Sequence, residues 1–395
     1  MNIDMMKQTI DTIVSEHLPA CIFLNDDFAD HPEISEHEFE TSRKIVDYLK
    51  MNGYDVQYPA FNLDTSFFAT YGANNHTHKV ALLVEYDALP EVGHACGHCA
   101  SGMMSVLASL SLKDLQDALD TDIHLIGTPA EETIGAKCYM VDDGVFDPYD
   151  FAIMIHLFNK NLVRINTLAM NAHNFTFYGK ESHAAAAPWE GLNALNAVML
   201  MFHGIDMLRQ HVTPDVRMHG VISHGGVVPN IVPEKATANF YIRAEDRAYL
   251  NELLKKVDKI AEGAALMTGT TFEKETPEHP FDNLKRNDTA EAALLESFSL
   301  IGEEVDDAGT LGSSDVGNVS YRCPAVQPTL KLADEEELHT LEFAALMKTG
   351  RVHEGIGKGA KLIAYTVVNL FSDKEKIEKL HEDFNKKPEI PGLTL

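Results

Sequence analysis

Positive charge is scarce in this sequence: 32 lysines and arginines stand against 60 aspartates and glutamates, a formal net charge of −28 over 395 residues. Such a surface repels phosphate backbones and anionic bilayers, so the expectation is no nucleic-acid partner and no membrane partner. Long apolar runs are also missing. No stretch approaches the ~18 consecutive apolar residues of a membrane span, and the opening MNIDMMKQTI carries Asp4 where an export signal would be apolar. A cytoplasmic protein is expected. Cysteine is limited to five, an odd number without an export signal, which argues against a disulfide framework and for reduced thiols. Cys21, Cys138 and Cys323 have no partner pattern and read as small buried hydrophobes. Tryptophan occurs once, at Trp189, and is expected to pack a core together with the methionine-rich segment 199–207. Internal repeats and Gly/Ser-rich tethers are absent, so domains should be joined by short hinges. No glycine-rich phosphate loop follows a strand; Gly225-Gly226 stands alone.

What is present is ordinary globular material, 45% hydrophobic and 23% charged, in a chain long enough for about two domains. Ser35 followed by Glu38 reads as a capping box, and Phe39, Ile45, Val46 and Leu49 recur at helical spacing until Gly53. Beyond it come apolar, β-prone runs at 80–84, 123–126, 151–155 and, more weakly, 326–332. Continuous apolar strands alternating with helices predict an α/β fold with a mainly parallel central sheet covered on both faces. The middle differs: strand 174–178, helix 192–208, strands 216–223 and 236–243, and helix 247–266 are the order of a small α+β unit. The expected organisation is a first catalytic segment 1–170, an insertion 171–281 and a second catalytic segment 282–395.

Each of the four apolar runs is followed by groups able to bind metal or move protons, at the sheet edge where α/β folds bind ligands. After 80–84 come Asp87 and then Gly93-His-Ala-Cys96-Gly-His98; in an extended stretch Cys96 and His98 point to one side, and His94 shares their parity. Asp87 could ligate directly or orient a ligand histidine. After 123–126 come Glu131 and Glu132, which in an extended segment would face opposite ways, one toward metal and one toward substrate. His156 ends the third run and His339 follows the fourth. Taken singly, each has a bland reading: a turn, a solvated charge pair, a core histidine, a helix start capped by Thr340. Together, placed after four strands, they point to a co-catalytic metal site.

These residues resemble the aminoacylase, carboxypeptidase and amidohydrolase family of two-metal peptidases, in the branch with indole-acetyl-amino-acid hydrolases, aminobenzoyl-glutamate hydrolase and β-alanyl-lysine-type dipeptidases. The resemblance spans nearly the whole chain. It is carried by His31-Pro-Glu-Ile-Ser35, Glu85-Tyr-Asp-Ala-Leu-Pro90, Gly93-His-Ala-Cys-Gly-His98, Gly127-Thr-Pro-Ala-Glu-Glu132, Ser182-His183-Ala with Pro188, Pro229-Asn230-Ile-Val-Pro-Glu234, Gly312-Ser-Ser-Asp-Val-Gly-Asn318 and His339-Thr. It implies a zinc-peptidase-like catalytic domain with an inserted ferredoxin-like lid and dimerisation domain. Carried over by position, it makes Cys96 a thiolate bridging two divalent metals, zinc or manganese, with His98, Glu132, His156 and His339 as further ligands and Glu131 as general base. Asp87 falls on an orienting position. His183 and Asn230 match residues that the inserted domain presents to substrate, in this family commonly across a dimer interface, and Arg243 matches a contact to a substrate carboxylate. Ser313 and Ser314 could meet that carboxylate too, the alternative for Ser314-Asp315-Val-Gly317 being a plain turn. Cys99 departs from the family, where Asp or Asn usually follows the histidine. The implied function is hydrolysis of N-acyl amino acids or short peptides by a homodimer, with a tetramer also open. The alternatives are a dipeptidase or broader peptidase and, from another class, a catalytically silent metal-binding or interaction protein.

Overall fold

A computed structural model describes residues 2–310 and 312–386. The described residues divide into two compact units, one built from 2–166 with 284–386 and the other from Thr167–Asn283.

In the first unit the run at 80–84 extends to a strand, His78–Val84, whose five C-terminal residues are buried. Val80, Leu82 and Val84 face one apolar cluster while Ala81 and Leu83 face another, which is why the sequence shows a continuous apolar run rather than alternation. The strand lies beside Thr121–Gly127 and Phe151–Ile153, both parallel to it, and Ala325–Val326 adds to the far side of Phe151–Ile153, also parallel. Phe68–Thr70 and Asp55–Gln57 complete the other edge antiparallel, giving six strands. Past a break, His156–Phe158 and Thr329–Lys331 pair in the same parallel sense.

Helices cover both faces, as expected. Ile3–Asp30, His98–Leu112 and Gly350–Phe371 supply side chains to the larger cluster, and all fifteen residues of His98–Leu112 are buried. The short helices Ala136–Asp142 and Val316–Val319 contribute Met140, Val316 and Val319 to the other. Apolar surface is buried on both faces of this sheet, each Å² contributing about 25 cal/mol, and the candidate metal-binding groups stand at its carboxyl edge.

The second unit has four antiparallel strands in the order Thr271–Glu275, Ala169–Tyr178, Lys235–Ala244, Arg217–His224. With helices Ala194–Leu208 and Arg247–Thr268 between strands, this is the β-α-β-β-α-β ferredoxin-like arrangement. Phe175, Phe177, Ala238, Phe240 and Ile242 alternate toward the helices and form its core with Val198, Met201, Leu253 and Val257. The last strand, Thr271–Glu275, was not foreseen; its charged residues hide the period.

Two local expectations are corrected. Trp189 does not pack this core: it is 78% exposed, on the turn Pro188–Glu190. Ser35 and Glu38 form no capping box, because helix Phe39–Met51 starts after Glu38 with no side-chain cap, and both side chains are used elsewhere. Ser35 donates to Asp87 Oδ2 at 2.8 Å, while Glu38 accepts from Ala130 N and Thr65 Oγ1 at 2.8 and 2.9 Å.

Candidate metal centre

Beyond Val84 the chain reaches Glu85 and Asp87, both buried. Asp87 accepts hydrogen bonds from Ser35 Oγ at 2.8 Å, Glu132 N at 3.0 Å and His98 Nδ1 at 2.9 Å. Burial alone would raise its pKa, but the adjacent His98 and these donors outweigh that and hold it at about 2. An ionised Asp87 fixes the His98 proton on Nδ1 and leaves the other nitrogen to point elsewhere. That nitrogen, Nε2, is buried with no hydrogen-bond partner among the described residues, 3.4 Å from Glu85 Oε2.

The stretch between Cys96 and His98 is not extended, so alternation does not set which way the two side chains point. Gly97 takes φ +78° and His98 opens the buried helix. A Cβ on Gly97 would lie 2.7 Å from Leu157 Cδ2, so both the backbone twist and the close approach require glycine. Glu131 and Glu132 do not face opposite ways either. Ala130 has φ +53°, the chain turns, and both carboxylates come within 4.8 Å of a His98 nitrogen and of each other. Cys96 Sγ, a Glu132 oxygen and a His339 nitrogen form a second such group. His339 is held by its own backbone, N to Ala95 O at 3.0 Å, in a left-handed conformation with φ +66° just before Thr340, which caps helix Leu341–Ala345. His156 stands with its ring centroid 5.7 Å from that of His98, and its Nδ1 lies 2.8 Å from Leu157 O, which as an N–H donor leaves Nε2 its lone pair. His94, by contrast, is buried outside these groups, and burial pushes its pKa down to about 3.

A cluster of one thiol, three imidazoles and two carboxylates, some of whose buried polar atoms lack partners, is costly unless a cation is shared among them. Glu132 Oε1 and His98 Nε2 are such atoms. In the absence of a cation, burial and then Glu132 push the Cys96 thiol up. Burial, then Asp315, Glu132 and Glu85, raise Glu131 in the same way. The donor set therefore fits divalent metal, with sulfur and nitrogen donors of the kind zinc takes.

Asp315 and Lys137 were not read as functional from the sequence, yet both are fully buried beside this cluster: Lys137 Nζ lies 2.6 Å from Glu85 Oε1 and 2.7 Å from Asp315 Oδ1. No short-range signal marks a pairing between residues so far apart in the chain. Ser314 is buried, its Oγ accepting from Val316 N at 3.3 Å, and Ser313 is half-buried.

His183, Asn230 and Arg243 belong to the second unit. The loops carrying the first two meet there, through a His183–Ile231 bridge and an Ala184 N to Asn230 O bond of 3.0 Å, and both residues are exposed. His183 Nδ1 accepts from Ala185 N and Ala186 N, so its proton sits on Nε2. Arg243 is half-buried on Lys235–Ala244, its guanidinium 5.8 Å from the Tyr241 ring centroid, and burial lowers its pKa.

Residues 170–267 match the model of a peptidase dimerisation domain of the M20 peptidases. The mouse (Mus musculus) Xaa-Arg dipeptidase is 34% identical over 374 residues, covering 90% of this chain and 86% of that protein. One of the subunits of the p-aminobenzoyl-glutamate hydrolase of Escherichia coli (strain K12) is 29% identical over 443 residues, covering 91% and 90%. Among solved structures, a dinuclear metal-binding peptidase of the M20 family from Bacillus subtilis superposes with a TM-score of 0.68 at 18% identity, covering 90% of this chain and 98% of that one. With a relative this similar over nine-tenths of its length, the chain belongs to the M20 family of metal-dependent peptidases and amidohydrolases.

Proposed function

We propose that this protein splits the amide bond of N-acyl amino acids or short peptides at a two-metal site held by Cys96, His98, Glu132, His156 and His339, with Glu131 as general base. The observation that carries the reading is the convergence of Cys96, Glu132 and His339 with His98 and Glu131 behind a sheet edge, with partnerless buried donor atoms among them. Two divalent ions held by these residues would supply Lewis acidity and lower the pKa of the attacking water. Glu131 takes the proton from the attacking water and returns it to the leaving amine. Asp87 holds the His98 ring and its tautomer. His183, with its proton on Nε2, donates to the developing oxyanion together with Asn230. Arg243, Ser313 and Ser314 receive the carboxylate of the leaving amino acid, Arg243 through a guanidinium fork suited to it. Zinc suits the thiolate and imidazoles, and manganese the carboxylates.

The working organisation is the one expected from the sequence, with 171–281 as a lid and dimerisation domain between catalytic segments 1–170 and 282–395. A homodimer is supported by the match to a peptidase dimerisation domain and by the edge strand Arg217–His224, which exposes Val221 and Ile222. No helix among the described residues is long and apolar enough to cross a membrane. A cytoplasmic enzyme acting on small soluble substrates is the reading that goes with this.

Within that function, dipeptide cleavage is the second reading, favoured by the similarity to Xaa-Arg dipeptidases of mouse and human. Amine release from a panel of N-acyl amino acids and dipeptides, with zinc or manganese and against a chelated control, tests both. Chelator-sensitive release supports the reading and the better substrate class chooses between the two. No release from any member under either metal rejects it in favour of a silent metal-binding protein.

A further inference from the structure

Three carboxylates, those of Glu85, Glu131 and Asp315, offer oxygens within 4.8 Å of one another, a spacing that would suit a further divalent ion. Glu85 and Asp315 are wholly buried, and like charges this close in a dry interior repel strongly unless a cation lies among them. A cation does: the ammonium of Lys137, itself wholly buried, bonds Glu85 Oε1 at 2.6 Å and Asp315 Oδ1 at 2.7 Å. The Lys137 backbone N–H reaches the other Asp315 oxygen at 3.2 Å, so the residue is anchored at both ends. The triad ties together three separate chain segments: the end of strand His78–Val84, the start of helix Ala136–Asp142 and the turn before helix Val316–Val319. The second Glu85 oxygen lies 3.4 Å from His98 Nε2, the nitrogen assigned above to metal.

We propose that Lys137 is a positioning residue that acts as a built-in cation of the catalytic centre. Its ammonium fills the place between Glu85 and Asp315 that a third divalent ion would otherwise take. It thereby holds Glu85 away from metal ligation and leaves the Glu131 carboxylate unclaimed for proton transfer. An ammonium suits this role because it is a compact point charge with three donors and, unlike a metal ion, cannot be exchanged or removed by chelation. The inference rests on the two-metal reading above, but its test compares variants of one protein, so the two can fail separately.

The test measures divalent metal bound per chain by elemental analysis after equilibration with manganese, alongside kcat and KM, for wild type and Lys137→Met. The methionine keeps the length and removes the charge. In folded Lys137→Met, one additional manganese per chain is expected, with kcat reduced about 100-fold from the displaced base and KM changed little. The double variant K137M/D315N removes one buried charge of each sign and should return the metal count to that of wild type, while kcat stays low because Glu85, no longer held by the ammonium, turns toward His98 and the metal ligands. A wild-type metal count together with near-wild-type kcat in folded Lys137→Met overturns the proposal, as does loss of metal with a greatly raised KM, which would mark Lys137 as a general structural tie. Where the single variant fails to fold, the double variant decides: wild-type kcat in it overturns the proposal. A wild type that binds no divalent metal rejects the two-metal reading instead, while the difference in metal count between wild type and variant still tests Lys137.

Discussion

His98 Nδ1 lies 2.9 Å from Asp87 Oδ1, and the same carboxylate takes the backbone N–H of Glu132 on its other oxygen at 3.0 Å. One buried aspartate thus orients an imidazole and positions the loop that carries both glutamates. Metal affinity should depend on it even though Asp87 belongs to neither proposed ligand set. Replacing Asp87 by Ala is expected to weaken metal binding by roughly 10- to 100-fold, the usual effect of losing a group that orients a ligand. Competitive chelator titration of the folded variant measures this, and an unchanged affinity would contradict the orienting role.

The left-handed turn at Gly97 separates Cys96 from the helix that begins with His98. Gly97→Ala places a Cβ against Leu157 and forces φ +78° on an L-residue, so a loss of about 1–3 kcal/mol of stability is expected. Urea unfolding gives the number directly, with the transition midpoint falling at unchanged slope.

The carboxyl-edge groups and the sheet were not equally legible in the sequence. The strand beyond Lys79 could be read because a parallel strand buried on both faces leaves an unbroken apolar run, and Cys96, His98, Glu131, Glu132, His156 and His339 stood out because each follows such a run. Their mutual geometry could not be read. It depends on positive φ angles at Gly97, Ala130 and His339, which reorient side chains that an extended chain would have placed by parity. Lys137 and Asp315 were invisible for another reason: 178 positions separate them, and nothing in a single sequence marks a pair formed only when two loops meet. Ser35 illustrates the opposite error, a local pattern of the right spacing whose hydroxyl is recruited by Asp87 instead of a helix end.

Stability should fall toward acid pH partly through His124. Its Nδ1 lies 3.0 Å from Tyr149 Oη and its Nε2 3.2 Å from Asn74 Oδ1, which accommodates a neutral ring with the hydroxyl donating to Nδ1. Burial lowers its pKa from 6.5 to about 4. The unfolded chain therefore takes up this proton first as pH falls, so the contribution is complete above pH 6.5 and is lost between there and about 4. His124→Gln should flatten the dependence of Tm on pH across that window; an unaltered profile would assign the acid loss to other groups.

If His183 serves the active site of a second copy, two inactive variants should repair each other. H183A supplies an intact Glu131 and E131Q an intact His183. Randomly mixed dimers would then carry one complete site in half of the molecules, and roughly a quarter of wild-type turnover should return. Subunit exchange followed by the amide-release assay reads it out. No recovery in dimers shown to have exchanged would confine His183 to its own subunit or remove it from the mechanism.

Whether this cluster holds two metal ions can be read from anomalous diffraction by crystals of the protein loaded with manganese or zinc. The expected map has two peaks, both bounded by Cys96, His98, Glu132, His156 and His339, and no density between Glu85 and Asp315, where the Lys137 ammonium lies. A map without peaks at those five side chains, or with its principal peak elsewhere in the chain, would contradict the account.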